Sequence, residues 1–400
     1  MFEAIQPAPR DAILGLTAAF REDPRSDKIN LTVGVYQDEH GKTPVLECVR
    51  TAEQRLAEAA SSKSYLPIPG DPEYAKMVRQ LAFGADHEVV QSGRVATAQT
   101  PGGTGALRVA ADFLQANLPG TTLWMSDPTW PNHPNVFSAA RVPTQTYPYF
   151  DRASNGLALE PMLEAIGQMP AGDVILLHGC CHNPTGIDPT PDQWQQIAEA
   201  VYQRGLTPLL DFAYQGFAEG IQQDAAGLRA FCRPGAELIL CSSFSKNFGL
   251  YRERVGALSM VCATAEVAST VQSQINRVIR SNYSNPPAHG AAIVNCILRD
   301  DSLRALWEEE VAAMRSRIHG MRQALVDALA AQGVPGDYSF ITRQQGMFSF
   351  SGLTKEQVDK LREQYAVYIV GSGRINVAGL TPMNVERVAE AIGKVIGQPD

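Results

Sequence analysis

The chain has no run of eighteen uninterrupted apolar residues, so no membrane-spanning helix is expected from it. It also lacks a basic surplus: 34 lysines and arginines stand against 42 aspartates and glutamates, for a formal charge of −8. That balance argues against a general nucleic-acid binder, while leaving room for a local basic pocket around an anionic ligand. The opening MFEAIQPAPRDAILGL carries an early acid and two prolines where a signal peptide would place a basic stretch before an apolar core. The seven cysteines are odd in number and scattered, and Cys180 and Cys181 are neighbours. Reduced thiols in a cytoplasmic protein are therefore expected. Repeats and low-complexity segments are absent. The remainder, 44% hydrophobic and 19% charged over 400 residues, fits a soluble globular chain with one large domain and a smaller satellite, or two to three ordinary domains.

Between about residues 94 and 262, short apolar runs alternate with amphipathic stretches. RVATAQT, TTLWMSD, DVILLHGC, LTPLLDFAY, ELILCSS and VGALSMV read as strands, with helices over GTGALRVAADFLQANL and DQWQQIAEAVYQRG. Apolar runs without period-two polarity suggest strands covered on both faces, as in a mostly parallel α/β sheet. Beyond about 290 the texture changes. A long helical pattern, SLRALWEEEVAAMRSRIHGMRQALVDALAAQG, precedes GMFSFSG, a helical TKEQVDKLREQYA, a strand YIVGSGRINVAG and a last helix NVERVAEAIGKVIG. This predicts a smaller α+β unit. IQPAPRD near the start reads as an arm without regular structure.

Several short motifs fall at expected strand ends. PGGTGALR (101–108) lies between strand and helix, where glycines and free N–H groups suit either a phosphate or a tight turn. GVYQDEHGKT (34–43) is no P-loop, because six residues separate its glycines where four are required. In HGCCHNPTG (178–186), His178, Cys180 and His182 share one face of an extended strand, a spacing that cannot close a tetrahedron around zinc. No metal is expected there, and Asn183-Pro184 reads as a turn. LLDFAYQGF (209–217) sets Asp211 at a strand's carboxyl end, either at a ligand edge or as a helix cap. SDPTWPNH (126–133) places Trp130 and His133 in a proline-rich loop, with Trp130 as ligand contact or core. CSSFSKNFGLYRER (241–254) ends a buried strand with Lys246 among serines and Arg254 eight residues on. A lysine there either escapes to solvent or has chemical work to do, since its charge is costly to bury. Together these motifs put a glycine turn, an aromatic ring, an aspartate and a lysine on one sheet edge. A cofactor with a phosphate, a flat ring and a ring nitrogen needs such groups.

At this point the sequence resembles the fold-type I pyridoxal-phosphate aminotransferases, and more narrowly the class I aspartate and aromatic amino acid aminotransferases. The resemblance runs from VGVYQDEHGKTP through KSYLPIPG, TAQTPGGTGALR, SDPTWPNH, HGCCHNPTG, DFAYQGF, SSFSKNFGLYRERVG, RSNYSNPPAHG and GMFSFSGL to GRINVAGL. It implies an α/β fold with a mostly parallel seven-stranded sheet in a large domain, residues 46–299. A small α+β domain would comprise 16–45 and 300–400, and residues 1–15 an arm. Lys246 matches the lysine that bonds to the cofactor's aldehyde and then moves protons, a task that needs an amine able to lose its charge. Asp211 matches the carboxylate paired with the pyridine nitrogen, and His133 the residue bonded to that aspartate, with His178 nearby. Asn183 and Tyr214 match the donors to the phenolic oxygen, and Trp130 the ring-stacking residue. The phosphate would be held by Gly103, Thr104, Ser243, Ser245 and Arg254, and by Tyr65 of a neighbouring subunit.

On the substrate side, the resemblance implies that Arg374 clamps the α-carboxylate, with Gly34 lining that pocket through its backbone, beside Trp130 and Asn183. Arg280, donated by the second subunit, would meet a side-chain carboxylate. A homodimer with shared active sites follows. Two positions depart from the aspartate-specific bacterial pattern: Gln37 where lysine commonly follows GVY, and Ser64 where asparagine often precedes the tyrosine. TPVL, GGTG and YSNPP are aspartate-like, while SDPTW and FGADHEV resemble the aromatic branch. The expected activity is ping-pong transfer of an amino group from aspartate, and from aromatic amino acids, to 2-oxoglutarate. The alternatives are an aromatic-preferring transaminase, a β-decarboxylase or β-eliminase of the same fold, and a catalytically silent protein of that fold. The last would be marked by a missing lysine or aspartate.

Overall fold

The computed structural model describes residues 1–7, 14–60 and 62–397. The chain divides into two compact units, one of Thr43–Arg317 with Gln344–Gly346, the other of Met1–Lys42, Ile318–Arg343 and Met347–Asp400.

The larger unit is built on seven strands: β1 (Val95–Pro101), β2 (Leu123–Asp127), β3 (Thr144–Pro148), β4 (Val174–His178), β5 (Thr207–Phe212), β6 (Leu238–Ser243) and β7 (Val255–Val261). Their order across the sheet is β1-β7-β6-β5-β4-β2-β3. β3, β2, β4, β5 and β6 pair in parallel, whereas β7 runs antiparallel to both β6 and β1. β4, β6 and β7 are buried at every position, as expected for strands covered on both faces. The helix Gly102–Asn117 lays Leu107, Ala110, Ala111 and Leu114 into a core with Met125, Leu176, Leu209, Ile239 and Leu258 from the strands. The helix Pro191–Gln203 starts on a reciprocal cap between Thr190 and Gln193, with proline at its first turn.

In the smaller unit, Phe348–Phe350 pairs antiparallel with Arg374–Asn376, and Ile29–Asn30 pairs in parallel with Val367–Tyr368. The helices Lys355–Tyr365 and Val385–Gly397 complete it, the first capped reciprocally by Thr354 and Gln357. YIVGSGRINVAG, expected as one strand, is two short ones with different partners. The reason is the turn between them, where Gly373 takes φ +85°, a conformation that favours glycine.

The smaller unit resumes at Ile318, inside the helix Asp301–Ala331, and not at the expected residue 300. The first half of that helix is anchored to the larger unit: Trp307 donates from Nε1 to the Asn247 carbonyl at 2.7 Å, and Arg315 donates to the Gly216 carbonyl at 2.8 Å. Phe2–Ala4 forms a single exposed 3₁₀ turn, whereas residues 8–13 of the expected arm lie outside the described residues. No helix among the described residues is long and apolar enough to cross a membrane.

Trp307 is fully buried and stacks on Phe248 with ring centroids 4.5 Å apart. Trp307→Ala should destabilise the protein by about 3–5 kcal/mol in urea unfolding. Trp307→Phe, which keeps a ring but loses the N–H, should cost about 1–2 kcal/mol. Equal losses would show that the hydrogen bond to Asn247 contributes more than the packing.

Candidate active site

The carboxyl ends of β1, β4, β5 and β6 share one edge of the sheet, and β7, running the other way, starts there. Topology thus brings together residues far apart in sequence. His178 ends β4 directly opposite Asp211 in β5, and Asp211 in turn lies opposite Cys241 in β6. Ser243 ends β6 opposite Gly256, two residues after Arg254. The antiparallel strand explains how Arg254 returns to the edge that Lys246 has just left.

At this edge the backbone forms a cradle. A Cβ on Gly102 would come within 2.5 Å of Arg254 Nη2, and one on Gly103 within 2.8 Å of Ser243 Cβ. Gly102 has φ +76°, and the helix Gly102–Asn117 begins here, pointing its free N–H groups and positive dipole end outward from its first turn. Thr104 lies in that turn. Arg254 donates from Nη1 to Ser245 Oγ at 3.3 Å, and Ser243 Oγ is 3.3 Å from Ser245 Oγ. Two glycines, hydroxyls, a helix start and a guanidinium are a donor set for a phosphate dianion.

Lys246 lies half-buried beside this cradle, with Nζ 4.8 Å from the centre of the Tyr214 ring. Burial lowers its pKa to about 8, Arg254 pushes in the same direction, and Asp211 opposes both. A fraction of the amine is therefore uncharged near neutral pH, as a nucleophilic or proton-accepting lysine requires.

The side chain of Asp211 is 11% exposed. Burial works against its ionisation, but the hydrogen bond from His133, with the field of the Lys246 ammonium, outweighs it and holds the pKa below the usual range. Behind it runs a chain of hydrogen bonds with one consistent direction. The Asn183 backbone N–H donates to His178 Nδ1 at 3.3 Å, which leaves the proton of neutral His178 on Nε2, 3.2 Å from Thr129 Oγ1. Thr129 then donates to His133 Nδ1 at 2.7 Å, and His133 donates from Nε2 to Asp211 Oδ2 at 3.0 Å. The tautomers are assigned from this network. His178 stays neutral because burial, aided by His133, pushes its pKa down to about 3.

A second buried imidazole, His182, packs 4.2 Å from His178 and stacks on Tyr149 at 3.9 Å. Its nitrogens meet Ser126 Oγ at 3.0 Å and Thr185 Oγ1 at 2.8 Å. Sequence reading weighed His182 only as a metal ligand and passed over Thr129 and Tyr149. The signal lay in SDPTW and HGCCHNPTG, but which partners meet depends on the fold. Cys180, Cys181 and Asp224 also converge, yet the Asp224 carboxylate accepts from the amides of Gly216, Ala218, Glu219 and Gly220 at 2.7–3.1 Å. That carboxylate works as a loop anchor.

Trp130 is half-buried and meets His133 edge-on at 5.2 Å, while Asn183 and Tyr214 are buried. Tyr65 is 91% exposed. Arg280, exposed in the last turn of the helix Ala265–Asn282, donates from Nη1 to Ser284 Oγ at 2.5 Å. These two residues face the outside of the chain. In the smaller unit, Arg374 is buried, donates from Nη2 to the Thr32 carbonyl at 2.7 Å, and lies 4.1 Å above the Phe348 ring. A Cβ on Gly34 would come within 2.6 Å of Cζ of the same ring, so Gly34 packs against the edge of Phe348 while Arg374 lies over its face.

Comparison with known proteins agrees with this chemistry. The family model "Aminotransferase class I and II" matches residues 26–392. The chain is 55% identical to an aspartate aminotransferase of Salmonella typhi over 99% of its own length and 100% of that protein's. It is 48% identical to an aromatic-amino-acid aminotransferase of Pseudomonas aeruginosa, covering 98% of each. Among solved structures it superposes with a TM-score of 0.97 on an aromatic-amino-acid aminotransferase from Burkholderia pseudomallei covalently bound to pyridoxal phosphate. That pair shares 49% identity over 99% of both chains.

The neutral histidines give an acid dependence. Below pH 6.5 an unfolded His178 takes up a proton that the folded protein refuses until about pH 3. Stability should therefore fall as pH drops through that window, by at most about 1.4 kcal/mol per pH unit for this group. Urea midpoints at pH 7 and pH 5 should show the fall in wild type, and a shallower one in His178→Gln. An unchanged slope in the variant would place the titration elsewhere.

Proposed function

The chain belongs to the class I and II aminotransferase family, and we propose that this pyridoxal-phosphate-dependent transaminase moves the amino group of aspartate, and of aromatic amino acids, to 2-oxoglutarate in a ping-pong cycle. The observation that carries the reading is Lys246: an amine with a pKa lowered to about 8, beside an ionised Asp211 and a phosphate-type cradle. The phosphate is held by Gly103, Thr104, Ser243, Ser245 and Arg254, and by Tyr65 from a second copy of the chain. Trp130 and Asp211 hold the ring, and Asn183 and Tyr214 its phenolic oxygen.

Bound pyridoxal phosphate supplies an electron sink for the pair released when the substrate's Cα–H bond breaks. The chain's residues set the conditions for that step. Asp211, kept anionic by the hydrogen bond from His133, would pair with the cofactor's ring nitrogen and favour its protonated form. Lys246 Nζ takes the Cα proton and later returns one, a transfer favoured by a pKa close to working pH. Arg374 binds the α-carboxylate, and its planar fork suits a bidentate contact. Gly34 offers its backbone to the same group. Arg280 of the second copy meets the side-chain carboxylate of an acidic substrate. The support for including aromatic substrates is that relatives of both kinds match over nearly the full chain. The working form is a homodimer in the cytoplasm.

Lys246→Ala should bind pyridoxal phosphate without the absorbance of the lysine-linked form, and should lose transaminase activity by at least about 10³-fold, because nucleophile and proton carrier go together. Activity near wild type would sink the reading. With wild type, aspartate should yield oxaloacetate; alanine or pyruvate would instead indicate β-decarboxylation or elimination.

Arg280→Ala should lower kcat/KM for aspartate and glutamate by about 100-fold or more, the cost of leaving a substrate charge unpaired, and for phenylalanine and tyrosine by far less. Equal losses across the four would remove Arg280 from substrate recognition.

A further inference from the structure

The strand Arg374–Asn376 directs alternate side chains to one face, so Arg374 and Asn376 point the same way. Both fasten onto one strip of chain. Arg374 Nη2 takes the carbonyl of Thr32, while the single side-chain nitrogen of Asn376 donates to the carbonyls of Val33 at 2.7 Å and Val35 at 3.0 Å. Those two carbonyls flank Gly34. The Asn376 backbone amide adds a bond to the Leu31 carbonyl at 2.8 Å. Asn376 is 2% exposed, and it sits directly opposite Phe348 in the strand pairing.

We propose that Asn376 is a positioning residue for substrate: its amide bridges the carbonyls on either side of Gly34 and holds that backbone in register with Arg374. The inference rests on the reading of Arg374 and Gly34 as the α-carboxylate site, and extends it to a residue that touches neither substrate nor cofactor. The bridge matters because Gly34 is only half-buried and its segment is not part of a strand. Nothing in regular secondary structure fixes the peptide planes around it. An asparagine amide has two N–H groups, and spending both on carbonyls two residues apart locks the intervening peptides.

Phe348 closes the other side. Its ring meets Gly34 at Cζ and carries the Arg374 guanidinium over its face, and its carbonyl accepts from Nη2 of the buried Arg322 at 2.6 Å. Arg322 also donates to the Ile341 carbonyl at 3.1 Å. The site is thus braced by Asn376 on the Gly34 side and by Arg322 behind Phe348.

Amino-acid and oxo-acid substrates share the α-carboxylate, so loosening Gly34 should weaken both alike. In the full-length, cofactor-loaded enzyme, Asn376→Ala should raise KM for aspartate, phenylalanine and 2-oxoglutarate together by about 5- to 30-fold, the scale of one or two lost hydrogen bonds. The limiting kcat should stay within about twofold, the pattern of lost uniform binding, and pyridoxal phosphate affinity by absorbance titration should not change. Asn376→Ser, which keeps one donor, should give a smaller rise; it also serves if the alanine variant does not fold. Arg374→Lys provides the control and should raise KM for every substrate. If the control raises KM and the Asn376 variants do not, the inference is wrong and the reading of Arg374 stands. A fall in kcat, cofactor affinity and melting temperature in step would make Asn376 merely structural. An unchanged KM in Arg374→Lys would overturn the carboxylate reading and this inference with it.

Discussion

Asp211 is a nearly buried carboxylate at the end of a parallel strand, and such a charge is tolerated only when hydrogen-bonded and paired. Its first partner, His133, donates from Nε2, and the tautomer that allows this is held by the Thr129 hydroxyl, which donates to the bare Nδ1. Thr129 in turn meets His178, and His178 accepts from the Asn183 amide. Satisfying one charge therefore ties the loop after β2 to the loop after β4. Trp130 lies next to Thr129 and Asn183 at the chain's far end, so the residues proposed to contact the ring are positioned by the same requirement that keeps Asp211 ionised.

The second constraint is the reversed strand β7. Were it parallel to β6, its start would lie at the opposite edge, and Arg254 would be carried away from the serines. Because it is antiparallel, the excursion through Lys246 begins and ends at one edge. Arg254 itself adopts φ +55°, a left-handed conformation at the point where the chain enters β7. Lys246 thus comes from the same loop as the cradle's guanidinium and Ser245 hydroxyl, while Gly102 and Gly103 join them from the end of β1. The proximity of Arg254 also helps to keep the lysine partly uncharged.

Much of this was legible in the sequence. β4, β5 and β6 are largely apolar runs whose carboxyl ends carry His178, Asp211 and Ser243, with Lys246 three residues further on, and a strand buried on both faces leaves that mark. The motif glycines were legible too, because a cradle this tight leaves no room for a Cβ at Gly102 or Gly103. The imidazole network was not. Tyr149 reaches His182 and His133 reaches Asp211 across wide gaps in sequence, and nothing in local spacing encodes which pairs meet. The turn at Gly373 shows the opposite failure: an apolar stretch read as one strand hides a reversal that decides which face Arg374 and Asn376 present. The compact boundary at Ile318 was equally hidden, since it depends on Trp307 and Arg315 finding carbonyls far upstream.

The division between buried and exposed groups also bears on how reaction and specificity are distributed. Of the groups assigned to bond-breaking, Asp211 is fixed by His133, which Thr129 holds in turn, and Lys246 packs half-buried over the Tyr214 ring. Moving Asp211 away from His133 would leave a buried polar atom unpaired, at a cost of about 1–3 kcal/mol. The residue assigned to the side-chain carboxylate is different in kind. Arg280 sits exposed at a helix end, fastened to Ser284 four residues along. This difference explains why the motifs around Lys246 identify the reaction more sharply than any residue identifies the substrate.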